Sequence, residues 1–322
     1  MGKVNTVMCD FLGTKRRFAD LFNGIFFKGR EVIQPAQLQA ASEQYPIVDD
    51  EISHRFRDIK MYLHTGEALR VLAVENQNKI DYTLPYRCMH YDALEYGRQL
   101  KELQEYNKEN HLLNTSAEWL SGVTAKDRLA PVYTLCLYHG EEPWNGPNSL
   151  KNMMDFGDDR DCMSSFFADY PMRLFCINEH TDFSCFHTEI KEVFTALAYR
   201  RDKIQLCAAI NESASFRKLS SDVVKVLSVL LNTPKLWVER KKFMNDEKEE
   251  EYDMCQAIRE LYEDGKNEGI SLGISQGITQ GMEMMNLLIQ KLLAGKRMED
   301  LAKATEDPAF RDQLFAEYHI RP

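Results

Sequence analysis

The spacing of hydrophobic residues changes from helical to strand-like within the first 80 positions. Between Lys15 and Gly29, apolar side chains follow i, i+3, i+4, i+7 spacing, which predicts a helix that ends at the Lys28-Gly29 pair. Residues 55–64 and 69–78 are two short runs on either side of Thr65-Gly66-Glu67, which predicts a β-hairpin. The continuous apolar run of residues 71–74 predicts a strand covered on both faces.

Helices and strands alternate in the next part of the chain. Pro85 suits the first turn of a helix. Apolar residues at intervals of four and three then predict one buried stripe along that helix: Met89, Ala93, Tyr96, Leu100 and Leu103. Strands are predicted at residues 131–138 and 172–177, and helices at 189–200 and 221–231. This order predicts an α/β domain over residues 1–245, with a central sheet flanked by helices.

Glycine recurs at every fourth position in the C-terminal part, which we treat as a separate helical region, residues 246–322. The row consists of Gly265, Gly269, Gly273, Gly277 and Gly281. Each glycine inside a helix costs about 1 kcal/mol relative to alanine. We therefore expect another helix to approach closely, as in self-association or docking; the alternative is a mobile spacer. Further helices are predicted at 282–293 and 298–318.

Composition narrows the class of protein. No run of about 18 apolar residues occurs, so no membrane span is expected. The first residues lead into a polar, basic run without the apolar core of a secretory signal. The eight cysteines lack CxxC or zinc-like spacing, which favours reduced thiols and a cytoplasmic location. A net charge of −10 argues against a uniformly basic nucleic-acid-binding surface but is compatible with a local basic cleft.

Acidic residues mark the ends of the two predicted hairpin strands. Glu75 and Gln77 are two positions apart and so share a strand face, and antiparallel pairing can bring Asp58 beside them. Two converging carboxylates repel one another, and a hard cation such as Mg²⁺ or Mn²⁺ removes that repulsion. Such a metal could polarise a phosphodiester and activate a bound water. On spacing alone, solvated acids at a surface strand end remain the simpler interpretation.

Three segments carry a resemblance to a known family: Arg57-Asp58-Ile59, Val74-Glu75-Asn76-Gln77, and residues 82–96. They resemble the recombination-promoting nuclease and transposase-like group of the PD-(D/E)XK nuclease superfamily. The glycine row and the short helical tail resemble the C-terminus of that group, so the resemblance covers nearly the whole chain. It implies a restriction-endonuclease-like mixed sheet and divalent-metal-dependent cleavage of DNA.

The resemblance also assigns roles to individual residues. Asp58 and Glu75 match the metal-binding acids, and Asp20 on the first helix matches a supporting acid loosely. Gln77 stands where the superfamily pattern usually has lysine. Because an amide lacks the ammonium charge that stabilises a phosphate in reaction, we expect slow or loosely specific cleavage.

The helix after Pro85 carries the predicted DNA contacts. Arg87, Tyr91 and Arg98 fall on one side of it, away from the apolar stripe, so the arginines are predicted to meet phosphates while Tyr91 supports the site or stacks on a base. An ordinary solvated face is the alternative. Lys79 is either a further phosphate contact or a surface lysine.

Two open questions concern activity and assembly. A homo-oligomer through the C-terminal helices would supply the two active sites needed to cut both strands. The alternative function is a non-catalytic DNA-binding or interaction protein that keeps the nuclease fold.

Overall fold

The structure, a computed structural model, describes residues 3–41, 58–66, 68–246 and 251–321. Arg57, the rest of residues 55–57, Glu67 and most of the charged run at 245–251 lie outside the described residues. The helices are α1 (Lys3–Leu12), α2 (Lys15–Phe27), α3 (Leu84–Glu109), α4 (Ser116–Ser121), α5 (Arg160–Phe166), α6 (Ile190–Tyr199), α7 (Lys203–Glu212), α8 (Ser221–Leu230), α9 (Pro234–Val238), α10 (Met254–Ala294), α11 (Met298–Glu306) and α12 (Pro308–Glu317). The strands are β1 (Leu38–Ala40), β2 (Ile59–Thr65), β3 (Ala68–Gln77), β4 (Val132–Tyr138), β5 (Arg173–Cys176), β6 (Leu219–Ser220), β7 (Met244–Asp246) and β8 (Glu251–Tyr252).

A mixed five-stranded sheet in the order β1-β2-β3-β4-β5 forms the centre of the α/β part. Strands β1 to β3 are antiparallel, whereas β4 and β5 run parallel to β3. Thr65 pairs with Ala68 and Ile59 pairs with Val74, which confirms the predicted hairpin over the described residues. The predicted α/β plan, with helices around a central sheet, is confirmed.

The predicted helix stop after α2 is confirmed by its backbone geometry. Lys28 adopts the left-handed conformation and donates its backbone N–H to the Asn23 carbonyl. Gly29 follows with a φ of +82°, and a Cβ there would lie 2.8 Å from the Cys185 carbonyl oxygen. A larger residue at this position would therefore meet both backbone strain and a clash.

Strand β3 lies at the centre of the core. Its residues Val71–Val74 are almost fully buried, so the predicted strand with two covered faces is confirmed. The same strand ends in three buried polar residues, Glu75, Asn76 and Gln77. They lie in a sheet that β2 and β4 flank on either side.

The predicted stripe along α3 is wrong. Ala93 and Leu100 are exposed, and the buried positions instead follow Leu84, Cys88, Tyr91 and Glu95. The buried face of this helix is partly polar. Thr134 donates to Asp92, while Lys60 and Arg98 contact Glu95; a search for apolar periodicity alone misses such a face.

The chain divides into two compact units, Met1–Gln256 and Ala257–Pro322, with the boundary inside α10. The second unit has its own core of Leu288, Leu292, Ala304, Leu314 and Ile320. Helix α10 continues through all five glycines of the row, and residues 262–283 are exposed. None of the helices in the described ranges combines the length and hydropathy needed to cross a bilayer.

Candidate active site

The hairpin places Asp58 and Glu75 next to each other at one end of the sheet. Asp58 immediately precedes Ile59, Glu75 immediately follows Val74, and Ile59 and Val74 are paired. The Asp58 carboxylate accepts a hydrogen bond of 2.7 Å from the Asn76 backbone N–H. Glu75 has a side-chain exposure of 0%. The structure thus brings together the two acids that the sequence singled out.

Arg87 on α3 is the cation of this site. Its guanidinium lies 3.1 Å from Glu75 Oε2 and 2.7 Å from Asp81 Oδ2, and it sits 6.0 Å from the centre of the Tyr91 ring. Burial alone would lower the pKa of Arg87, but the hydrogen bond to Asp81 and the charge of Glu75 outweigh it and raise the pKa. Arg87 therefore faces the acids, and Tyr91 is buried beside it instead of lying open for a base.

Asp81 belongs to the site although the sequence analysis did not select it. Its carboxylate accepts hydrogen bonds from the Thr83 backbone N–H at 2.9 Å and the Thr83 hydroxyl at 2.6 Å. Burial acts to raise the pKa of Asp81, but these bonds and Arg87 lower it overall. The available signal was an Asp-x-Thr turn just before a Leu-Pro helix start, a pattern in which the acid fixes the local backbone.

Asp58 differs from Asp81 in the direction of its pKa shift. Burial raises the pKa of Asp58, and the Asn76 hydrogen bond and the charge of Arg87 only partly oppose it. The protein thus holds Asp58 where its charged form is disfavoured. Perturbed carboxylate pKa values of this kind cluster at functional sites, and structural ion-pair networks produce them as well.

The neighbouring polar cluster of Asn5, Cys9 and Asn76 links α1 to strand β3. Asn76 donates its side-chain amide to Cys9 Sγ at 3.2 Å, and Asn5 donates to the Asn76 carbonyl at 3.3 Å. Burial and the charge of Asp58 raise the pKa of Cys9 to about 12. Cys9 therefore remains a protonated thiol at neutral pH and is not a nucleophile. No sequence pattern pointed to this cluster.

Gln77 and Lys79 follow Glu75 along the chain. The Gln77 side chain is buried and points to the same face of β3 as Glu75, while its backbone carbonyl accepts from His139 N at 2.9 Å. Burial, with the charge of Arg200, lowers the pKa of His139 to about 4, so that imidazole is neutral. Lys79 lies beyond the strand and is exposed.

Two predicted site residues have their hydrogen bonds elsewhere. The Asp20 carboxylate accepts from the backbone N–H groups of His187 and Thr188 and from the Thr188 hydroxyl, at 2.6–3.0 Å. Asp20 therefore fixes the segment that leads into α6. Arg98 is ion-paired with Glu95 at 2.7 Å and Glu102 at 2.5 Å, which neutralises the charge predicted for phosphate contact.

The donor chemistry of Asp58 and Glu75 fits a hard divalent cation. Within the described ranges, no three His, Cys, Asp or Glu side chains are placed to hold a metal ion together. Mg²⁺ nevertheless binds proteins through one or two carboxylates and completes its shell with water and substrate phosphate. Two adjacent acids, one of them fully buried and in contact with Arg87, meet that requirement.

Family models, curated proteins and solved structures gave no match to this chain.

Proposed function

We propose that this protein is a divalent-metal-dependent DNA endonuclease of the recombination-promoting nuclease and transposase-like group. The observation that carries the proposal is the placement of Asp58 and Glu75 at adjacent strand ends, with the Arg87 cation beside them. The mixed five-stranded sheet flanked by helices agrees with the restriction-endonuclease-like fold that the group implies.

In the proposed mechanism, Asp58 and Glu75 would hold Mg²⁺ or Mn²⁺, which supplies Lewis-acid polarisation of the phosphodiester and a more acidic bound water. The remaining contributions come from the chain. The Asn76 backbone N–H fixes the Asp58 carboxylate, and Arg87 fixes Glu75. Gln77 can orient the attacking water or a phosphate oxygen through neutral hydrogen bonds only, so turnover is expected to be slow.

DNA would be contacted from the exposed rim of the site. Lys79 is the predicted phosphate contact that the structure leaves exposed. Arg87 is already ion-paired with two acids, so its main role would be to position them. It would contact a phosphate only after a bound cation has neutralised Glu75. This arrangement suits weak, salt-dependent binding, as the net charge of −10 also indicates.

A plasmid-nicking assay tests the proposal. Wild type, Asp58→Asn and Glu75→Gln would be incubated with supercoiled plasmid in Mg²⁺, in Mn²⁺ or in EDTA. Glu105→Gln, an exposed acid on α3, is the matched control for loss of one negative charge. We expect nicking by wild type and by the control with either metal, and loss of nicking in both site variants. Equal nicking by all four proteins, or none by wild type, would contradict the enzyme proposal.

The second candidate is a non-catalytic DNA-binding or interaction protein on the same fold. The observation that favours it is the ion pair itself: Arg87 lies 3.1 Å from Glu75 and neutralises its charge, and Gln77 stands where the family pattern usually has lysine. Fluorescence anisotropy with a labelled duplex separates the two candidates. Binding that is unchanged by EDTA and by Glu75→Gln, without cleavage, would support the second.

The assembly proposal concerns the exposed glycine row of α10. A Cβ added at any of these five glycines would meet no described residue within 4 Å, so close approach by the described part of this chain does not explain the row. A second copy packed on this face would explain it. Gly273→Ala should then lower the oligomer's mass in light scattering while raising helix content, because alanine favours an isolated helix by about 1 kcal/mol. A monomeric wild type would refute the assembly proposal.

A further inference from the structure

Two buried thiols face each other beneath the candidate active site. Cys88 on α3 and Cys136 on β4 have their sulfur atoms 3.3 Å apart, and both side chains are within 1% of full burial. Neither is in a disulfide. A disulfide bond is about 2.05 Å long, so the sulfurs need to approach by only about 1.3 Å to form one.

The surroundings of this pair favour a disulfide over a thiolate or a metal-bound sulfur. Leu84 and Met172 complete a buried cluster with the two cysteines, and Trp144, Tyr170 and Leu174 pack against it. Burial among these apolar side chains disfavours thiolates and metal ions alike. A neutral disulfide suits such a shell. The apolar cluster also restricts access to small, uncharged oxidants.

We infer that Cys88 and Cys136 form an oxidation-sensitive dithiol site that closes to a disulfide with a small hydroperoxide. With hydrogen peroxide, one sulfur attacks the O–O bond, takes up OH as a sulfenic acid and releases one water. The second sulfur then attacks the sulfenic sulfur, forms the S–S bond and releases another water. The two thiols lose two hydrogens in total, and the peroxide is reduced to two water molecules.

The position of the pair connects it to the candidate active site, and this step rests on the proposed function. Cys88 follows Arg87 in α3, and Cys136 is the register partner of Glu75 in the sheet. Closing the sulfurs draws the start of α3 towards β4 at the level where Arg87 contacts Glu75 at 3.1 Å. Displacements of about 1 Å at catalytic groups can lower rates about 100-fold, so we expect a loss of nicking of at least about tenfold on oxidation.

Peptide mapping tests the chemistry independently of any activity. The full-length protein would be treated with hydrogen peroxide, its remaining thiols alkylated in denaturant, and the digest analysed without reduction. We expect a linked peptide that joins Cys88 to Cys136 in wild type and disappears on reduction. Recovery of both residues as alkylated thiols, or their oxidation to sulfinic acids without a link, would overturn the inference.

Variants separate this site from the exposed thiol of Cys162. Cys162→Ala is the matched control and should give the same linked peptide as wild type, whereas Cys88→Ala and Cys136→Ala should give none. Because the link is mapped in wild type, the inference stays testable even if a core variant misfolds. In the nicking assay, wild type should lose activity on oxidation and regain it on reduction. If no nicking is seen at all, the proposed function fails while the mapped disulfide still decides this inference.

Discussion

The ion pair between Glu75 and Arg87 gives the sharpest test of the site. Its side chains have exposures of 0% and 18%, so Arg87→Met strands a buried carboxylate. Breaking a buried pair from one side costs about 3–5 kcal/mol. Water can reach the arginine side of this pair, so we expect the lower end, about 3 kcal/mol.

The reverse substitution is expected to cost less. Glu75→Gln leaves Arg87 a neutral acceptor and its second partner, Asp81, at 2.7 Å, so about 1–2 kcal/mol is expected. In the double variant neither charge remains, and it should be more stable than Arg87→Met alone. A coupling energy of about 2 kcal/mol is the expected result of the double-mutant cycle.

Urea unfolding followed by tryptophan fluorescence measures these values. The three tryptophans all lie in the unit Met1–Gln256, so the signal reports that unit and not the C-terminal helices. Arg201→Met is the matched control, because Arg201 forms an exposed ion pair with Glu142 at 3.3 Å. The reasoning would be refuted if Arg87→Met were no more destabilising than Arg201→Met, or if the double variant were the least stable of the set.

Three further predictions concern single residues. Asp58→Asn should stabilise the protein at neutral pH in urea unfolding. Burial raises the folded-state pKa of Asp58, so wild-type stability is lost as pH rises through that pKa. The gain from the variant should vanish only below the ordinary pKa of an aspartate in the unfolded chain. Asp20→Ala should destabilise by about 2–3 kcal/mol in the same assay, since it leaves the buried Thr188 N–H and hydroxyl without their acceptor; an unchanged midpoint would contradict this. Lys79→Ala should weaken duplex binding and reduce the slope of log affinity against log salt by about 1, and an unchanged slope would remove Lys79 from the interface.

Local signals in the sequence were sufficient for much of the fold. The hairpin follows from two strand-like runs around a glycine turn, and α2 ends where a left-handed Lys28 and Gly29 require it. The strands after residue 130 are short apolar runs bounded by turn residues. Each of these features leaves a signal in the residue types of a short stretch of chain, which is why periodicity and turn chemistry predict them.

Long-range polar contacts account for what the sequence did not predict. Asp20 meets Thr188 across 168 positions, so its structural role is invisible to local patterns. On α3, the buried face contains Asp92 and Glu95, which have partners on distant strands: Thr134 on β4 and Lys60 on β2. The candidate site shows the same difference between local and long-range signals. The predicted pairing of β2 and β3 was enough to place Asp58 next to Glu75. No local pattern predicted that Arg87 would contact both Glu75 and Asp81.

Competition between Arg87 and a divalent cation links the stability of the site to its proposed chemistry. Both neutralise Glu75, so a cation must act against an ion pair already formed at 3.1 Å. In Arg87→Met that competition is gone and the carboxylate is left without its cation. Ligand binding to the folded state stabilises it by an amount that increases with the logarithm of the affinity. Added Mg²⁺ should therefore raise the thermal unfolding midpoint of Arg87→Met more than that of wild type.

The control for this experiment is the double variant Arg87→Met with Glu75→Gln, which has lost the carboxylate that would bind the cation. It should show no gain from Mg²⁺ beyond that given by NaCl at the same ionic strength, because screening acts on all charges alike. Equal midpoint shifts in Arg87→Met and the double variant would mean that Glu75 does not bind the metal. A larger shift in Arg87→Met alone would mean that Arg87 limits metal affinity, and would give a physical reason for slow cleavage besides the neutral Gln77.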